Sequence, residues 1–193
     1  MKIFYQGSPG AYSHLAAEKI YPNNEFIPCK TFEECFKNCS QNSNYKTIIP
    51  VENSIAGRVA DIQYLINKYK LQIYAEHFEE IKHNLMAIEG VKIKNIRSVR
   101  SHSQAISQCQ KIINEFKFEP IIAADTAGSA RFLSENKIKN EAAIASELAA
   151  KIYKLKIIKS NIEDDHGNVT RFLIMGKNAI HPELKNKNYI TSC

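Results

Sequence analysis

The sequence predicts an α/β fold in two small lobes, and three observations support this prediction. Short apolar strands alternate with amphipathic helical segments along the chain, which is typical of βαβ units and largely parallel sheets. At 193 residues the chain can bury a real core, as one domain or as two small lobes. Polar segments follow strands in separate parts of the sequence, and two small sheets facing each other across a cleft would bring these segments together.

The first part of the chain is predicted to contain repeated strand–helix units. Residues 2–6 form a strand that breaks at a Gly-Ser-Pro-Gly turn, and residues 11–20 have helical character. This geometry points backbone N–H groups at an anion, although a tight turn with no ligand explains the pattern equally well. Thr31 and Glu34 form a capping box before a helix at 32–39. The other elements predicted here are strands at 25–28 and 46–51 and a helix at 59–69.

The second part of the chain repeats the alternation. The amphipathic segment 104–116 is predicted to be one helix, capped by Ser101 or Ser103. Gln104 and Gln108 are one turn apart, so they share a face of this helix. The other elements predicted here are strands at 71–76, 83–88, 96–99, 120–124 and 142–146, a helix at 147–153, and a passage between the lobes at 77–81.

The segment 168–172, Asn-Val-Thr-Arg-Phe, places a hydroxyl and a guanidinium side by side at the head of an apolar strand that stops at Gly176. An arginine at the mouth of such a strand suits a carboxylate or phosphate, which it grips with two parallel hydrogen bonds. The alternative is a strand end with a surface Arg171 and a Thr170 present for its β propensity.

A second polar segment follows the strand at 46–51. Glu52, Asn53 and Ser54 supply a carboxylate, an amide and a hydroxyl in succession, and such groups are rarely buried without partners. They are interpreted as helix-capping groups or as a binding loop.

Composition narrows the classes of function. The net charge of +6 comes from scattered lysines, without the basic face typical of nucleic-acid binders. No apolar run approaches the length of a membrane span, and no signal peptide is evident. An odd number of cysteines then predicts ordinary reduced thiols in a reducing compartment, without metal-finger spacing. These cysteines are Cys29, Cys35, Cys39, Cys109 and Cys193.

Five segments, taken together and in order, closely resemble the catalytic domain of the prephenate dehydratase family. Each segment alone would be weak evidence of a relationship, but five segments in this order and at these separations make the resemblance specific. The resemblance covers residues 1 to about 177. The segments are Gly-Ser-Pro-Gly-Ala-Tyr-Ser-His at 7–14, Pro-Val-Glu-Asn-Ser at 50–54, Ser-His-Ser-Gln-Ala at 101–105, Ala-Asp-Thr-Ala-Gly-Ser-Ala at 124–130 and Asn-Val-Thr-Arg-Phe at 168–172.

The resemblance implies a two-lobed fold like the type II periplasmic binding proteins, with the active site in the cleft. Lobe 1 would comprise residues 1–78 and 169–177, lobe 2 residues 79–168, and a polar tail 178–193 would follow. By position, the resemblance implies catalytic roles for Thr170, Glu52 and Asn53 and substrate contacts from Arg171, Ser101, Gln108, Gly10, Ala11 and Phe172.

The implied reaction converts prephenate to phenylpyruvate, CO2 and water, on the way to phenylalanine. Aromatisation drives it, so the enzyme mainly assists departure of the ring hydroxyl and needs no cofactor or metal. A free hydroxyl is a poor acid near neutral pH, and we therefore expect Thr170 to donate a hydrogen bond to the leaving oxygen, relaying a proton from water or from Glu52. Capping or solvated roles are expected for His14, His102 and His166.

Several alternatives stay open at this point. Arogenate, with an amine in place of the side-chain ketone, could replace prephenate, and a two-lobed fold could also serve a non-catalytic ligand-binding or sensor protein. The family implies a homodimer, while the scattered charge, the lack of a long apolar run and the cysteine usage predict a cytoplasmic protein that binds neither nucleic acid nor membrane. Only 17 residues follow Gly176, so a C-terminal phenylalanine-binding ACT domain and its feedback inhibition are expected to be missing, unless the chain is truncated.

Overall fold

The computed structural model describes residues 1–59 and 61–178, so the predicted polar tail lies almost wholly outside the described residues. These residues form two lobes, each built on one sheet. The elements of lobe 1 are β1 (Lys2–Gln6), α1 (Tyr12–Ile20), β2 (Glu25–Cys29), α2 (Phe32–Cys39), β3 (Lys46–Asn53), β4 (Gly57–Arg58), α3 (Gln63–Tyr69), β5 (Gln72–Glu80) and, at the end of the chain, β11 (Val169–Gly176).

Lobe 2 is formed by the residues between β5 and β11. Its elements are β6 (Asn84–Ala87), a 3₁₀ helix (Ile93–Asn95), β7 (Ser98–Ser101), α4 (Ser103–Ser107), α5 (Gln110–Phe116), β8 (Glu119–Ile122), α6 (Thr126–Asn136), β9 (Glu141–Ala145), α7 (Glu147–Ile152) and β10 (Lys156–Lys159). The predicted fold class, two α/β lobes, is therefore confirmed.

Both sheets are mixed, whereas the sequence predicted largely parallel ones. The strand order is β2-β1-β3-β11-β5 in lobe 1, with β4 beside β3, and β10-β6-β9-β7-β8 in lobe 2. Within lobe 1, β1 runs parallel to β2 and β3, but β11 is antiparallel to both of its neighbours. The reason is topological: β5 leads out of lobe 1 and β11 returns from lobe 2, so the two strands run in opposite directions.

The two chain segments that join the lobes are bonded to each other. The amide of Ile81 donates to the carbonyl of Asn168 at 2.7 Å, and the amide of Ile162 donates to the carbonyl of His83 at 2.9 Å. Because β5 stays paired with β11 as far as Glu80, the passage to lobe 2 falls at 81–83. Strand β5 thus continues two residues past the predicted boundary at 78, and the predicted passage at 77–81 shares residue 81 with this segment.

Apolar side chains cover both faces of the lobe 1 sheet. Ile3, Tyr5 and Phe172 pack beneath α1 on one face, while Phe36 and Ile49 pack with α2 and α3 on the other. The predicted cap at the start of α2 is confirmed for Thr31, whose hydroxyl accepts the amide of Glu34, but the carboxylate of Glu34 accepts the amide of Lys30 in place of that of Thr31.

Two predicted helices differ from the observed ones. The segment predicted as one helix at 104–116 is split into α4 and α5, with a break at Gln108 and Cys109. The capping group of α4 is the imidazole of His102 in place of Ser101 or Ser103. The helix predicted at 59–69 begins only at Gln63. Across the described residues, no helix is both long and apolar enough to cross a bilayer.

Candidate active site

The pairing of β3 with β11 places the polar end of each strand against the other. Thr170 lies opposite Asn53, and Arg171 lies opposite Glu52. One residue further along, Phe172 pairs with Pro50, so β3 contributes an extra residue at this point. This irregularity turns the side chain of Asn53 onto the face of Thr170, in the manner of bulges beside functional sites.

The orientation of the Asn53 amide is fixed by the backbone. Its Oδ1 accepts the amides of Ile55 and Ala56 at 3.1 and 2.8 Å, so its Nδ2 must face the other way. That nitrogen donates to Oδ1 of Asn168 at 2.7 Å and to Oγ1 of Thr170 at 2.9 Å. All three interacting side chains are buried, so these bonds are protected from exchange with water.

The hydroxyl of Thr170 is therefore an acceptor toward Asn53, and its own proton is left for another partner. Within residues 1–59 and 61–178, no group takes that proton. A residue with 8% of its surface exposed, at the junction of the lobes, can direct such a proton to a bound molecule. This is the chemical arrangement that assistance to a leaving oxygen requires.

The hydrogen bonds continue from Asn168 into lobe 2. Its Nδ2 donates to Oε1 of Gln108 at 2.8 Å, and the same oxygen lies 2.9 Å from Nε2 of His83. On the other side of the ring, Nδ1 of His83 lies 2.7 Å from the hydroxyl of Tyr12, at the start of α1 in lobe 1. The structure thus connects Thr170 to the opposite wall of the junction through side chains alone.

Two of the predicted site residues, Arg171 and Glu52, lie away from this cluster. Neighbouring residues of a strand project from opposite faces, so Arg171 points away from the face of Thr170. Its Nε donates to the carboxylate of Glu76 at 2.7 Å, and one terminal nitrogen lies 4.0 Å from the carboxylate of Glu52. The expected proton relay from Glu52 to Thr170 is therefore contradicted by the geometry.

Three of the backbone donors in and beside the turn at 7–10 are bonded within the protein. The amides of Gly7 and Ala11 donate to the carbonyls of Cys29 and Ser8, and the amide of Gly10 donates to Nδ1 of His14. The three donors are already satisfied, so they are not available to a substrate carboxylate in this structure. The turn instead contacts lobe 2, where the Cα of Gly10 packs against α7.

Ser101 and Phe172 are predicted substrate contacts whose side chains are enclosed by protein. The hydroxyl of Ser101 is fully buried and donates to the carbonyl of Ile144 at 2.6 Å, joining β7 to β9. Phe172 is 1% exposed and belongs to the core of lobe 1 beneath α1. Phe172 lies in β11 two residues from Thr170, and Ser101 ends β7 just before α4, so both residues anchor elements of the site within the protein interior.

Of the histidines for which capping or solvated roles are expected, His102 caps a helix, whereas His14 bonds the turn before α1. His14 accepts the amide of Gly10 and stacks on Tyr5, with ring centroids 4.8 Å apart. Burial lowers the pKa of His14, although the nearby carboxylate of Glu18 opposes this shift. His102 caps α4.

Three members of the cluster were not selected as site residues in the sequence. Asn168 and Tyr12 belong to two of the five segments that carry the family resemblance, but neither has a predicted role there. His83 has no predicted role beyond its place in a strand. The sequence did contain one signal for these residues. A histidine or an asparagine among apolar residues needs hydrogen-bond partners when it is buried, which points to a polar cluster. No group of three His, Cys, Asp or Glu side chains suited to a metal ion occurs in the described part of the chain.

Comparison with known proteins places this geometry in context. The family model described as prephenate dehydratase matches residues 3–180. Arogenate dehydratase/prephenate dehydratase 1 of Arabidopsis thaliana is 40% identical over 182 residues, which are 94% of this chain and 46% of that protein. The chain thus spans about half the length of the curated relatives it matches.

Two solved structures are similar over almost the whole chain. The prephenate dehydratase of Staphylococcus aureus has a TM-score of 0.80 and 27% identity, covering 93% of this chain and 67% of that one. The structure described as GqqA, a quorum quenching acylase, has a TM-score of 0.89 and 36% identity, covering 94% and 66%. Since the family model covers nearly every residue, the chain belongs to the prephenate dehydratase family.

Proposed function

We propose that this chain catalyses the decarboxylating dehydration of prephenate to phenylpyruvate, as a hydro-lyase of phenylalanine biosynthesis. The observation that carries the proposal is the fixed orientation of Asn53, which makes Thr170 an acceptor and frees its proton. Family membership and the names of the relatives support the same chemistry.

The reaction needs one proton and no other reactant. The bond from the ring to the hydroxyl oxygen breaks, and the oxygen leaves as water after gaining a proton. The ring carboxylate leaves as CO2, and the electron pair of its carbon–carbon bond completes the aromatic ring. Thr170 donates its proton to the departing oxygen and is resupplied by water, since Glu52 lies on the other face of the sheet.

The amides around Thr170 supply the preorganisation. Asn53 and Asn168 are held by several hydrogen bonds each, so the hydroxyl does not need to reorient as charge develops on the leaving oxygen. Gln108 belongs to lobe 2, and its bond to Asn168 fixes the two walls of the junction relative to each other.

An assay with purified protein tests the proposal. We expect prephenate to yield phenylpyruvate, measured by the absorbance of its enolate in alkali. Arogenate is the alternative substrate, supported by the names of several relatives, and its product is phenylalanine, measured by chromatography. Turnover of neither compound, with retained binding of one, would instead favour a ligand-binding or sensor protein.

Substitution of Thr170 tests its role as donor. We expect Thr170→Ser to keep kcat within about tenfold, because the hydroxyl remains, and Thr170→Val to lower kcat by about 10² to 10⁴. Substrate affinity, measured by calorimetry, should change little in both variants. Near-normal turnover by Thr170→Val would show that the hydroxyl is not the donor.

A homodimer in the cytoplasm also remains a proposal for this chain. Four buried free thiols, Cys29, Cys35, Cys39 and Cys109, suit a reducing compartment. The Arabidopsis relatives are described as chloroplastic, so localisation of the tagged protein is the direct test, and sedimentation is the test of the dimer.

A further inference from the structure

The cluster around Thr170 includes a histidine for which the reaction has no assigned use. His83 lies between the lobes, with 3% of its surface exposed. Its Nε2 lies 2.9 Å from Oε1 of Gln108, its Nδ1 lies 2.7 Å from the hydroxyl of Tyr12, and its backbone amide donates to the carboxylate of Glu163 at 2.9 Å. An enclosed imidazole with a polar partner at each ring nitrogen, on a backbone that is itself held by Glu163, has a defined orientation.

The direction of every hydrogen bond leading to His83 follows from two backbone amides. The amides of Ile55 and Ala56 require Oδ1 of Asn53 on their side, so Nδ2 of Asn53 faces Asn168. The atom of Asn168 that accepts this donor is its oxygen, which leaves its Nδ2 facing Gln108.

The alternation of donors and acceptors continues from Asn168 to the imidazole of His83. The atom of Gln108 facing Asn168 must accept, so it is Oε1, and the same oxygen faces the ring of His83. An oxygen without hydrogens requires a donor on the other side. The ring nitrogen Nε2 of His83 must therefore carry a hydrogen in both the neutral and the charged form.

We propose that His83 is a positioning residue for the dehydration, whose Nε2–H holds Gln108 and, through Asn168 and Asn53, the hydroxyl of Thr170. This inference rests on the proposed function. No proton passes along the chain, because the three amides between His83 and Thr170 do not exchange protons readily. The contribution of His83 is to fix geometry.

Tyr12 allows the network to survive a change in the charge of His83. The tyrosine hydroxyl lies within reach of two acceptors, Nδ1 of His83 at 2.7 Å and the carbonyl of Lys82 at 2.9 Å. With a neutral ring, Tyr12 donates to Nδ1. With a charged ring, Nδ1–H donates to Tyr12, whose hydroxyl then donates to Lys82. The bond from Nε2 to Gln108 is the same in both forms.

The surroundings favour the neutral ring. Burial lowers the pKa of His83 from its ordinary value of 6.5, while the bond to Gln108 and the carboxylate of Glu163 oppose the shift. The other titratable groups facing this region are the phenol of Tyr12 and the thiol of Cys109, and burial raises the pKa of both. Near neutral pH, the expected form is the neutral Nε2–H tautomer.

Nitrogen NMR of the full chain tests the tautomer without substrate. With ¹⁵N-labelled histidine, and His83→Gln used to assign the signal, we expect a protonated-type shift at Nε2 and an unprotonated-type shift at Nδ1 at pH 8. The opposite pattern, with hydrogen on Nδ1, would overturn the inference. This measurement stands even if the chain turns over neither prephenate nor arogenate, so failure of the proposed function is distinguishable.

Two matched substitutions test the positioning role. In His83→Gln the side-chain nitrogen reaches the place of Nε2 and keeps the donor to Gln108, whereas His83→Asn reaches only the place of Nδ1 and keeps a partner for Tyr12. We expect His83→Gln to retain kcat within about fivefold and His83→Asn to lose about 10- to 100-fold, with KM changing less than kcat. Tyr12→Phe, which leaves Nε2 untouched, should resemble His83→Gln.

Stability measurements keep the kinetic comparison interpretable. Both His83 variants remove one of the two ring contacts, so similar losses of folding stability are expected, measured by urea unfolding. Equal kcat in the two variants, or an increase in KM without a fall in kcat, would contradict a positioning role for the Nε2 donor. If His83→Asn fails to fold, a loss of kcat in Tyr12→Phe equal to that of Gln108→Ala would overturn the inference instead.

Discussion

At the residue scale, strand geometry decides which polar groups form the site. The sequence indicated Asn53, Gln108 and Thr170, and the structure brings these three into one hydrogen-bonded cluster. The sequence also suggested that Thr170 and its neighbour Arg171 act together, but the side chain of Arg171 projects from the other face of the sheet. The extra residue in β3 adds to the difficulty, because a bulge changes which side chains share a face and has no signature in this sequence.

Asn53→Asp tests the orientation on which the site depends. The aspartate keeps an oxygen for the amides of Ile55 and Ala56 but places a second oxygen where Nδ2 was. That oxygen repels the Oδ1 of Asn168 and attracts the proton of Thr170, which is then lost to the substrate. We expect kcat to fall by about 10- to 100-fold and the free energy of unfolding to fall by about 1–3 kcal/mol.

The measurements for Asn53→Asp are steady-state kinetics and urea unfolding at pH 8. Ser54→Ala is a suitable control, since it removes a neighbouring hydroxyl whose bonds, among the residues that the structure describes, are to the backbone of 167–169. Undiminished kcat in Asn53→Asp would show that the hydroxyl of Thr170 does not need its proton free.

At the element scale, the split between α4 and α5 was not visible in the sequence. Apolar residues continue at helical spacing from Ile106 through Phe116, which favoured a single helix. The break comes from Asp164, more than fifty residues away, whose carboxylate accepts the amides of Gln110 and Lys111 at 2.7 and 2.9 Å. Local patterns predict the helical residues, but a cap supplied by a distant loop is a tertiary effect.

The break between these helices also places Gln108. Gln108 is the residue directly after α4; its carbonyl accepts the backbone amide of Asp164 at 2.7 Å, while its side chain turns toward Asn168 and His83. A continuous helix would carry the same side chain in a different direction, so the site depends on the break.

Asp164→Ala tests this dependence. Loss of both accepted amides at the start of α5 should lower the free energy of unfolding by about 1–2 kcal/mol, and displacement of Gln108 should lower kcat. Asp165→Ala is the matched control, because the adjacent aspartate is exposed and has no hydrogen bond within the described residues. Urea unfolding and kinetics of both variants provide the comparison, and equal behaviour of the two would argue against the cap.

At the scale of the whole molecule, the sequence predicted two lobes but not how they touch. Away from the hinge, the turn at 7–10 packs against lobe 2, where the hydroxyl of Ser146 donates to the carbonyl of Gly10 and the hydroxyl of Tyr153 donates to the carbonyl of Pro9. Contacts between residues more than 130 positions apart carry no local signal, so the sequence alone leaves an anion-binding turn and a turn without a ligand equally open.

Gly10→Ala tests whether this contact sets the arrangement of the lobes. A methyl group at Gly10 would lie 2.6 Å from the Cα of Ala149, and the residue has a φ of +88°. Gly90→Ala is the matched control, because Gly90 has a φ of +83° but nothing within 4 Å of the added methyl. The cost of the left-handed backbone is thus shared, and the difference between the variants reports the collision between lobes.

We expect Gly90→Ala to lower the free energy of unfolding by about 1–2 kcal/mol and Gly10→Ala to lower it by about 1–3 kcal/mol more. Because the methyl group pushes the turn off α7, Gly10→Ala should also increase the radius of gyration measured by small-angle X-ray scattering. Opening of the lobes would pull Gln108 of lobe 2 away from Asn168, the bond that holds the two walls of the junction, so kcat should fall in Gly10→Ala alone. Equal stability, scattering and kcat in the two variants would mean that the turn contact does not hold the lobes together.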